Sequence, residues 1–356
     1  HIPESLDTFI RIIFTFDSRY HVNICVPVVL YHMGNDISKT VTSTILKIDT
    51  VTDTAAGNTT YLFQNDKGDA KITVHTVFPG VELIYNSVHT DRFHLGSKTE
   101  GHLIEIHHCR EGRIEQQLED EFFYLMPGDL SVSMRSRRAE EYRFPLRHYH
   151  GISILINTEE SPKCFSCFLK DVNVQPEQVA KRLCGGGKSF VIRSQDYIGH
   201  IFSELYTVPE SYKKGYFKIK ILELLLVLSG IDPKENGVAS LSLSKMQVYL
   251  ATKTEAYLSA NMGQKITVAE LSKKFHVSQT HLQNAFRGVY GVPVFSYIRI
   301  QKMQAAALQL IHTPLTVMEI AAGCGYDNAS KFASAFREIM GETPAEYRKM
   351  HSQIKK

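Results

Sequence analysis

The C-terminal third of the chain contains an internal repeat. The segment AFRGVYG begins at Ala285, and AFREIMG begins fifty residues later at Ala335. Around them, ITVAELSKKFHVSQTHLQNAFRGVYGVPVFSYIR from Ile266 matches LTVMEIAAGCGYDNASKFASAFREIMGETPAEYRK from Leu315 once a one-residue insertion is allowed. Solenoid architectures need at least about three repeats to be stable. Two copies therefore predict a duplicated supersecondary unit.

Each copy of the repeat predicts a helix–turn–helix. A short first helix opens with a capping box, in which a threonine precedes a glutamate by three residues. The pairs are Thr267 with Glu270 and Thr316 with Glu319. After a turn, Ser278 opens the second helix of the first copy, and Asp327 or Asn328 opens that of the second copy. Because the second helix of this motif enters the major groove of DNA, the repeat predicts a DNA-binding domain.

The predicted second helices present polar side chains to DNA. In the first copy, Leu282, Ala285 and Phe286 fall on one face for the core, which leaves the opposite face polar. Asn and Gln can bond an adenine edge through two hydrogen bonds, and Arg suits phosphate or guanine. The candidate DNA-binding residues are Ser278, Thr280, His281, Gln283, Asn284 and Arg287 in the first copy, and Asn328, Ser330, Lys331, Ser334 and Arg337 in the second.

The segment between the two copies, VFSYIRIQKMQAAALQLIHT, predicts one helix rich in Ala, Leu and Gln. About 18 residues at 1.5 Å each span roughly 27 Å, which is close to the roughly 34 Å between successive major-groove faces of DNA. The repeat therefore predicts that a single chain contacts two adjacent turns of DNA.

Charge is distributed unevenly along the chain. Residues 245–356 carry 14 Lys and Arg against 7 Asp and Glu, whereas residues 1–244 carry 26 against 30. A basic C-terminal third on a mildly acidic body indicates that only this third has a polyanionic partner.

Upstream of the repeat, the pattern changes twice. Residues 1–160 predict short strands separated by turn signals such as Phe78-Pro79-Gly80, which favours a sandwich or barrel, although the first 60 residues are hard to place. Residues 161–235 predict helices, and 236–245 predict a linker. An apolar stripe in the helix before Gly230 either packs on its own domain or forms a dimer seam. The stripe consists of Phe217, Ile221, Leu224, Leu225 and Leu228.

Residues 246–350 resemble the DNA-binding domain of the AraC/XylS family of bacterial transcription regulators. The resemblance rests on TVAELSKKFHVSQTHLQNAFR, IRIQKMQAAALQLI and IAAGCGYDNASKFASAFREIMGETPAEYR. It implies base-reading positions at Thr280, Gln283 and Asn284 in the first unit, and at Ala329, Ser330 and Ser334 in the second. Because Ala329 cannot bond a base and the serines are short, we expect the second unit to grip phosphate through Lys331 and Arg337.

The N-terminal part resembles the cupin-type sensor domains of the same family. The stretches VFPGVELIY, LIEIHHCREGRIEQQL, YLMPGDLSV and FPLRHYHGISI carry this resemblance. It implies an α+β multidomain chain: a cupin-like β-barrel that binds an effector, a helical middle segment that dimerises or transmits the signal, and an all-α domain with two helix–turn–helix units in residues 246–356. Candidate effector contacts are His108 and His150.

No pattern in the sequence predicts a metal, a cofactor or a catalytic residue. His107 and His108 are consecutive on a predicted strand, so their side chains point to opposite faces. His148 and His150 share a face if that segment is a strand, which leaves a metal site open there, but hydrogen-bonded or ligand-facing histidines are the expected roles. A zinc site of Cys164, Cys167 and Cys184 lacks a fourth ligand unless His200 joins it. The run CGGGKS does not match a phosphate-binding loop, which needs Gly where Arg182 stands.

Together these features predict a cytoplasmic, sequence-specific transcription regulator, an activator rather than a repressor. The expected partners are double-stranded DNA, an unknown small-molecule effector, a second copy of the chain in a homodimer, and RNA polymerase. No apolar run reaches the roughly 18 residues of a membrane span. Two alternatives remain: a metal-dependent cupin enzyme fused to a DNA-binding domain, and an effector-independent regulator with a filled barrel.

Overall fold

The computed structural model describes most of the chain from residue 47 onward. The described ranges are 47–53, 58–65, 68–94, 100–118, 121–137, 141–162, 165, 174–185, 189–233, 242–261, 264 and 266–351. Most of the first 60 residues, together with Cys164 and Cys167 of the weighed zinc site, lie outside these ranges.

The N-terminal part is built from two antiparallel sheets. The larger sheet has the order β1-β2-β3-β4-β11-β6-β9-β12, and the smaller has the order β13-β8-β7-β10-β5. The strands are β1 (Lys47–Asp53), β2 (Asn58–Asn65), β3 (Gly68–Phe78), β4 (Val81–His89), β5 (Arg92–His94), β6 (Glu100–Gly112), β7 (Ile114–Leu118), β8 (Glu121–Leu125), β9 (Leu130–Arg137), β10 (Glu141–Arg143), β11 (Tyr149–Asn157), β12 (Phe190–Ile192) and β13 (Leu243–Ser244).

Helices cover the outer face of the larger sheet. They are α1 (Pro176–Cys184), α2 (Asp196–Thr207) and α3 (Lys213–Gly230), with a short 3₁₀ turn at Glu210–Tyr212. On β11, Ile152, Ile154 and Ile156 pack with these helices, while Leu155 packs between the two sheets. Because both faces of β11 are covered, its sequence is apolar almost throughout instead of alternating.

The apolar stripe on α3 packs on the chain's own larger sheet. All five of its residues are buried in the cluster that joins the helices to that sheet. Within the described residues, the own-domain alternative therefore accounts for this stripe. The opposite face of α3 exposes Ile219 and Leu226.

The C-terminal part is helical and duplicated. It consists of α4 (Lys245–Ala260), α5 (Val268–Lys274), α6 (Gln279–Tyr290), α7 (Val294–His312), α8 (Val317–Gly323), α9 (Ala329–Met340) and α10 (Pro344–His351). Val294 and Tyr297 of α7 pack in a core with α4 to α6, whereas Met303 and Leu310 pack in a second core with α8 to α10. The helix α7 thus belongs to both helix–turn–helix units, which is the predicted arrangement.

The structure supports a sheet-rich N-terminal region followed by a helical domain, which is the coarse form of the predicted fold. Among the described residues, the two sheets do not join into one closed barrel. Two short strands occur where helix or linker was predicted: β12 pairs with β9, and β13 pairs with β8. Within the described ranges, no helix combines the length and apolarity needed to cross a bilayer.

Candidate nucleic-acid interface

The two helix–turn–helix units have nearly the same local geometry. The second helices α6 and α9 both contain twelve residues. Both end at a glycine in the left-handed region, Gly291 at φ 83° and Gly341 at φ 83°. Such glycines terminate helices because they adopt positive φ without steric cost.

Both predicted capping boxes are confirmed. The Thr267 and Thr316 hydroxyls accept hydrogen bonds at 3.2 Å from the backbone N–H of Glu270 and Glu319. The glutamates accept in return from the threonine N–H groups at 2.8 and 2.7 Å. These four contacts start α5 and α8 at equivalent residues, so the turns that follow place α6 and α9 equivalently.

The first recognition helix, α6, presents an exposed polar face. Thr280, His281, Asn284 and Arg287 are exposed, while the apolar residues between them are buried. Gln283 is only partly exposed, and its Oε1 accepts from the N–H of Val294 at 3.3 Å. That bond uses one of the two lone pairs of the amide oxygen and fixes the direction of the side chain.

The second recognition helix, α9, exposes Ser330, Lys331, Ser334 and Arg337. Asn328 caps this helix, because its Oδ1 accepts from the N–H of Ser330 at 2.8 Å and of Lys331 at 3.1 Å. Ser278 has the same role at α6, where its hydroxyl accepts from the N–H of His281 at 3.2 Å. Both capping residues therefore orient the start of a helix through side-chain oxygens that are already bonded.

The helix α7 sets the separation of the two units. Its 19 residues span about 28 Å at 1.5 Å per residue. Arg299 on α7 forms a two-bond ion pair with Glu338 on α9. Arg348 on α10 donates to the carbonyl of Leu310 at 3.1 Å. These bonds brace the second unit against the connecting helix.

A buried arginine connects the C-terminal helical domain to the smaller sheet. Arg113, between β6 and β7, donates from Nη2 to the carbonyl of Gly288 near the end of α6 at 2.8 Å. Its side chain lies over the ring of Tyr124 at 5.7 Å, and burial lowers the pKa of Arg113 to about 10. Phe122, Tyr124 and Leu146 pack in one core with α4 and α6. The two-sheet N-terminal part and α6 are therefore in direct contact.

The space between the two sheets is largely filled by side chains. It keeps a small void with room for about one water molecule. A chain of polar side chains lines it: Asn86 Nδ2 donates to Ser153 Oγ at 2.9 Å, and that oxygen lies 2.8 Å from His107 Nδ1. His107 Nε2 lies 3.6 Å from a carboxylate oxygen of Glu105. This void is polar on one side and is too small for an organic ligand of ordinary size.

The candidate effector residue His108 does not face that void. It lies on the helix-covered face of the larger sheet, where its ring stacks on Phe202 with 4.1 Å between centroids. Burial lowers the pKa of His108 to about 4, so the ring is neutral in the folded protein at pH 7.

The other candidate, His150, belongs to a cluster on the same outer face. We call His89, His148 and His150 the outer histidine cluster; one ring nitrogen from each lies within 4.8 Å of the others. Glu111 lies beside it, with Oε2 at 3.3 Å from His148 Nε2 and 3.4 Å from His150 Nδ1. Hydrogen bonds from His148 and His150 hold the pKa of Glu111 well below its usual range.

Sequence reasoning paired His148 with His150 but missed the other residues of these sites, including Glu111. His89 lies far upstream, and only the antiparallel register of β4 against β11, with Ser87 opposite His150, brings it to the cluster. Glu105 and Arg113 were also missed, because a strand alternation cannot distinguish which face meets the second sheet. The signal for the cluster in the sequence was the His-x-His spacing of His148 and His150.

The family model that matches this chain covers part of its C-terminal helical domain. A family model described as a helix-turn-helix domain matches residues 271–350. The chain is 34% identical over 93 residues to the uncharacterised HTH-type transcriptional regulator YdiP of Escherichia coli. The matched region covers 26% of this chain and 31% of YdiP. It is also 27% identical over 105 residues to the HTH-type transcriptional activator AarP of Providencia stuartii. That matched region covers 30% of this chain and 78% of AarP.

A third relative combines two functions in its name. The bifunctional transcriptional activator/DNA repair enzyme AdaA of Bacillus subtilis is 32% identical over 94 residues, or 26% of this chain and 44% of AdaA, and the match is confined to the helix-turn-helix region. The chain thus spans less than half of YdiP and of AdaA. A solved AraC-type DNA-binding regulator of Chromobacterium violaceum matches with 21% identity and a TM-score of 0.28, over 30% of this chain and 96% of that one.

Proposed function

Since the C-terminal part of this chain is a DNA-binding domain of the AraC/XylS family of transcription regulators, we propose that the whole protein activates transcription by binding two adjacent turns of DNA. The helices α6 and α9 enter successive major grooves. The observation that carries this proposal is the pair of equivalent exposed polar faces, joined by a helix about 28 Å long.

The two recognition helices have different roles in this proposal. On α6, Asn284 places its amide on the exposed face, and Arg287 suits guanine or phosphate. On α9, short serines alternate with Lys331 and Arg337, which suits contact with the DNA backbone. Thr280 and His281 complete the face of α6, while Gln283, Ser278 and Asn328 act mainly through the hydrogen bonds described above.

The organisation proposed for the whole chain keeps a sensor in residues 1–160, a helical segment in 161–235, a linker in 236–245 and the DNA-binding domain in 246–356. In this proposal the two sheets form the sensor, in the position where a cupin-like barrel was expected. The sensor changes how the recognition helices are presented, which is a shift between two populations. A second copy of the chain, RNA polymerase and a cytoplasmic location belong to the same proposal, and no catalytic residue is required.

The experiment that tests DNA recognition is selection of bound sequences from a random double-stranded pool at physiological salt. The full chain is expected to recover two sequence blocks about ten base pairs apart, with one block better defined. The Asn284→Ala variant is expected to lose definition at one position of that block only. Recovery of unrelated sequences by the full chain would contradict the proposal.

The small interior void favours a second candidate, a regulator that takes no organic effector between its sheets. Sites for small organic molecules generally enclose several hundred cubic ångströms, whereas this void holds about one water molecule. Thermal melting across panels of metabolites, aromatics and lipids distinguishes the two candidates, because a ligand that binds the folded state raises the melting temperature. A rise with any organic compound favours the interior effector.

A further inference from the structure

The outer histidine cluster has the separations of a metal site. The geometry points to His89, His148 and His150 as ligands of a divalent transition metal ion of the zinc class, with Glu111 as the supporting carboxylate. Tetrahedral zinc has Zn–N distances of about 2.0–2.1 Å, which place neighbouring ligand nitrogens about 3.3 Å apart. His89 Nε2 and His150 Nε2 lie 3.3 Å apart.

The carboxylates around the cluster explain why an ion fits between these nitrogens. Asp69 lies 3.6 Å from His89 Nδ1, and Glu111 lies 3.4 Å from His150 Nδ1. When the Nδ1–H of His150 donates to Glu111 and the Nδ1–H of His89 faces Asp69, the Nε2 lone pairs of the two rings face each other. Two facing lone pairs repel unless a proton or a metal ion lies between them. Carboxylate–histidine–zinc arrangements orient metal ligands in this way.

The third ligand, His148, adds an independent observation. Its side chain is 5% exposed, and its Nδ1 has no hydrogen-bond partner among the described residues. Its other nitrogen, Nε2, is bonded to Glu111. A buried ring nitrogen without a partner is costly, so Nδ1 is the nitrogen of His148 that is left available to an ion.

The cluster lies on the outer face of the larger sheet and is partly exposed to solvent. The side chains of His89 and His150 are each 32% exposed, so an ion can enter and keep a water molecule as a further ligand. On β11, His150 shares its face with Ile152, which packs under the helices, whereas Tyr149 points between the sheets. The site therefore lies on the opposite face from Glu105, His107 and the interior void.

The donor set selects the class of ion. Imidazole nitrogens suit Zn²⁺, Ni²⁺, Cu²⁺ and Fe²⁺, whereas Mg²⁺ and Ca²⁺ prefer oxygen ligands. Glu111 is the nearest carboxylate, and its other oxygen lies 3.7 Å from Arg110 Nε. Because that arginine holds one oxygen away from the cluster, three imidazoles dominate the site.

The test is calorimetric titration of the tag-free full chain with Zn²⁺ and, separately, with Mg²⁺. We expect one Zn²⁺ per chain with an affinity at least about 100-fold above that for Mg²⁺. His89→Ala and His150→Ala are each expected to weaken Zn²⁺ binding by roughly 10- to 100-fold or more, and Glu111→Gln by roughly 10- to 100-fold. These three side chains are partly exposed, so circular dichroism is expected to show folded variants.

Two controls make the result specific. His200→Ala removes an exposed histidine that lies beside Glu204 on α2, and it is expected to leave Zn²⁺ affinity unchanged. The double variant Cys164→Ser with Cys167→Ser is expected to do the same. Loss of binding in either control, or unchanged binding in both His89→Ala and His150→Ala, would overturn the assignment.

Titration with Co²⁺ gives a second readout of the ligands. A site made of imidazoles gives visible d–d bands without an intense thiolate-to-metal charge-transfer band, because no sulfur is bound. Appearance of that charge-transfer band in the wild-type chain would assign the ion to cysteines and overturn the proposal. These measurements involve no DNA, so their outcome is independent of the proposed function.

Discussion

His108 is buried against Phe202, and neither of its ring nitrogens has a hydrogen-bond partner among the described residues. Its pKa of about 4 in the folded state lies below the ordinary value of 6.5. Between these two values the unfolded chain binds more protons than the folded chain. Stability from a neutral His108 is therefore present above pH 6.5 and is lost as the pH falls toward 4.

The variant His108→Phe tests this account. It keeps an aromatic ring on Phe202 and removes two unsatisfied nitrogens, so the free energy of unfolding is expected to rise by about 1–3 kcal/mol at pH 7. The loss of stability between pH 6.5 and pH 4.5 is expected to become smaller. It does not disappear, because burial also lowers the pKa of His75 to about 4, and His75 still contributes to the loss. Urea denaturation at several pH values measures both. The exposed His200→Phe is the control, and an unchanged pH dependence in His108→Phe would refute the account.

A second residue-scale feature is the strained turn of the first helix–turn–helix unit. His276 has φ 54°, whereas the equivalent residue of the second unit is Gly325 at φ 77°. A residue with a Cβ pays about 1–2 kcal/mol in this region, and glycine costs about 0.5–1 kcal/mol through the entropy of the unfolded chain. The variant His276→Gly is therefore expected to raise the free energy of unfolding by about 0.5–1 kcal/mol.

Thermal unfolding followed by circular dichroism measures this change. Gly325→Ala is the matched control and is expected to lower the melting temperature, since alanine must adopt the same positive φ. A His276→Gly variant that melts below the wild type would show that the imidazole makes contacts worth more than the strain.

At the scale of elements, the two recognition helices differ at equivalent positions. Asn284 on α6 corresponds to Ser334 on α9, and both are exposed. Asn284→Ala is expected to reduce discrimination at one base pair by about 1–3 kcal/mol, because asparagine can bond an adenine edge twice. Ser334→Ala is the matched control and is expected to change discrimination little. Binding to a set of single-base operator variants measures both, and equal losses would contradict the division of roles.

Lys331 is expected to act on affinity without changing sequence preference. As an exposed cation near the start of α9, it suits a phosphate. The variant Lys331→Ala is expected to weaken binding uniformly across sequences and to reduce the slope of log affinity against log salt by about 1. Fluorescence anisotropy at several salt concentrations measures this slope. A change in base preference instead would place Lys331 in the groove.

At the scale of the whole molecule, Arg113 joins the sheets to the first recognition helix. A hydrogen bond from a charged donor contributes about 1.5–3 kcal/mol. The variant Arg113→Met keeps an apolar stem of similar length but loses the bond to Gly288, so docking of the DNA-binding domain is expected to weaken. Hydrogen exchange is expected to rise at the end of α6 and in β8, while the exchange of α9 stays unchanged. Arg110→Met is the control.

The docking contact and the outer histidine cluster share one turn. Arg113 follows Glu111 by two residues, and its backbone N–H donates to the carbonyl of His148 at 3.4 Å. Gly112 between them approaches the same carbonyl so closely that a Cβ would lie 1.8 Å from it.

Faster exchange throughout both domains in Arg113→Met would mean that this residue supports the global fold instead of the docking.

The sequence by itself determined the duplicated helix–turn–helix domain, its capping boxes and the exposed faces of α6 and α9. These features depend on helical periodicity and on caps formed between residues three apart, so they are local. The sheet-rich character of the N-terminal part was likewise readable from short β-branched runs and turns. The choice between two packed sheets and a closed barrel was not, because strand order depends on pairings between distant segments.

Only the tertiary structure decided which side chains meet. The register of β4 and β11 brings His89 to His148 and His150, and the packing of α2 places His108 away from the interior. The bond from Arg113 to Gly288 joins residues 175 apart in the chain. The backbone N–H of Val294 donates a hydrogen bond to the amide oxygen of Gln283. No local pattern encodes such contacts, because they arise from the burial of apolar faces between elements that fold far apart in sequence.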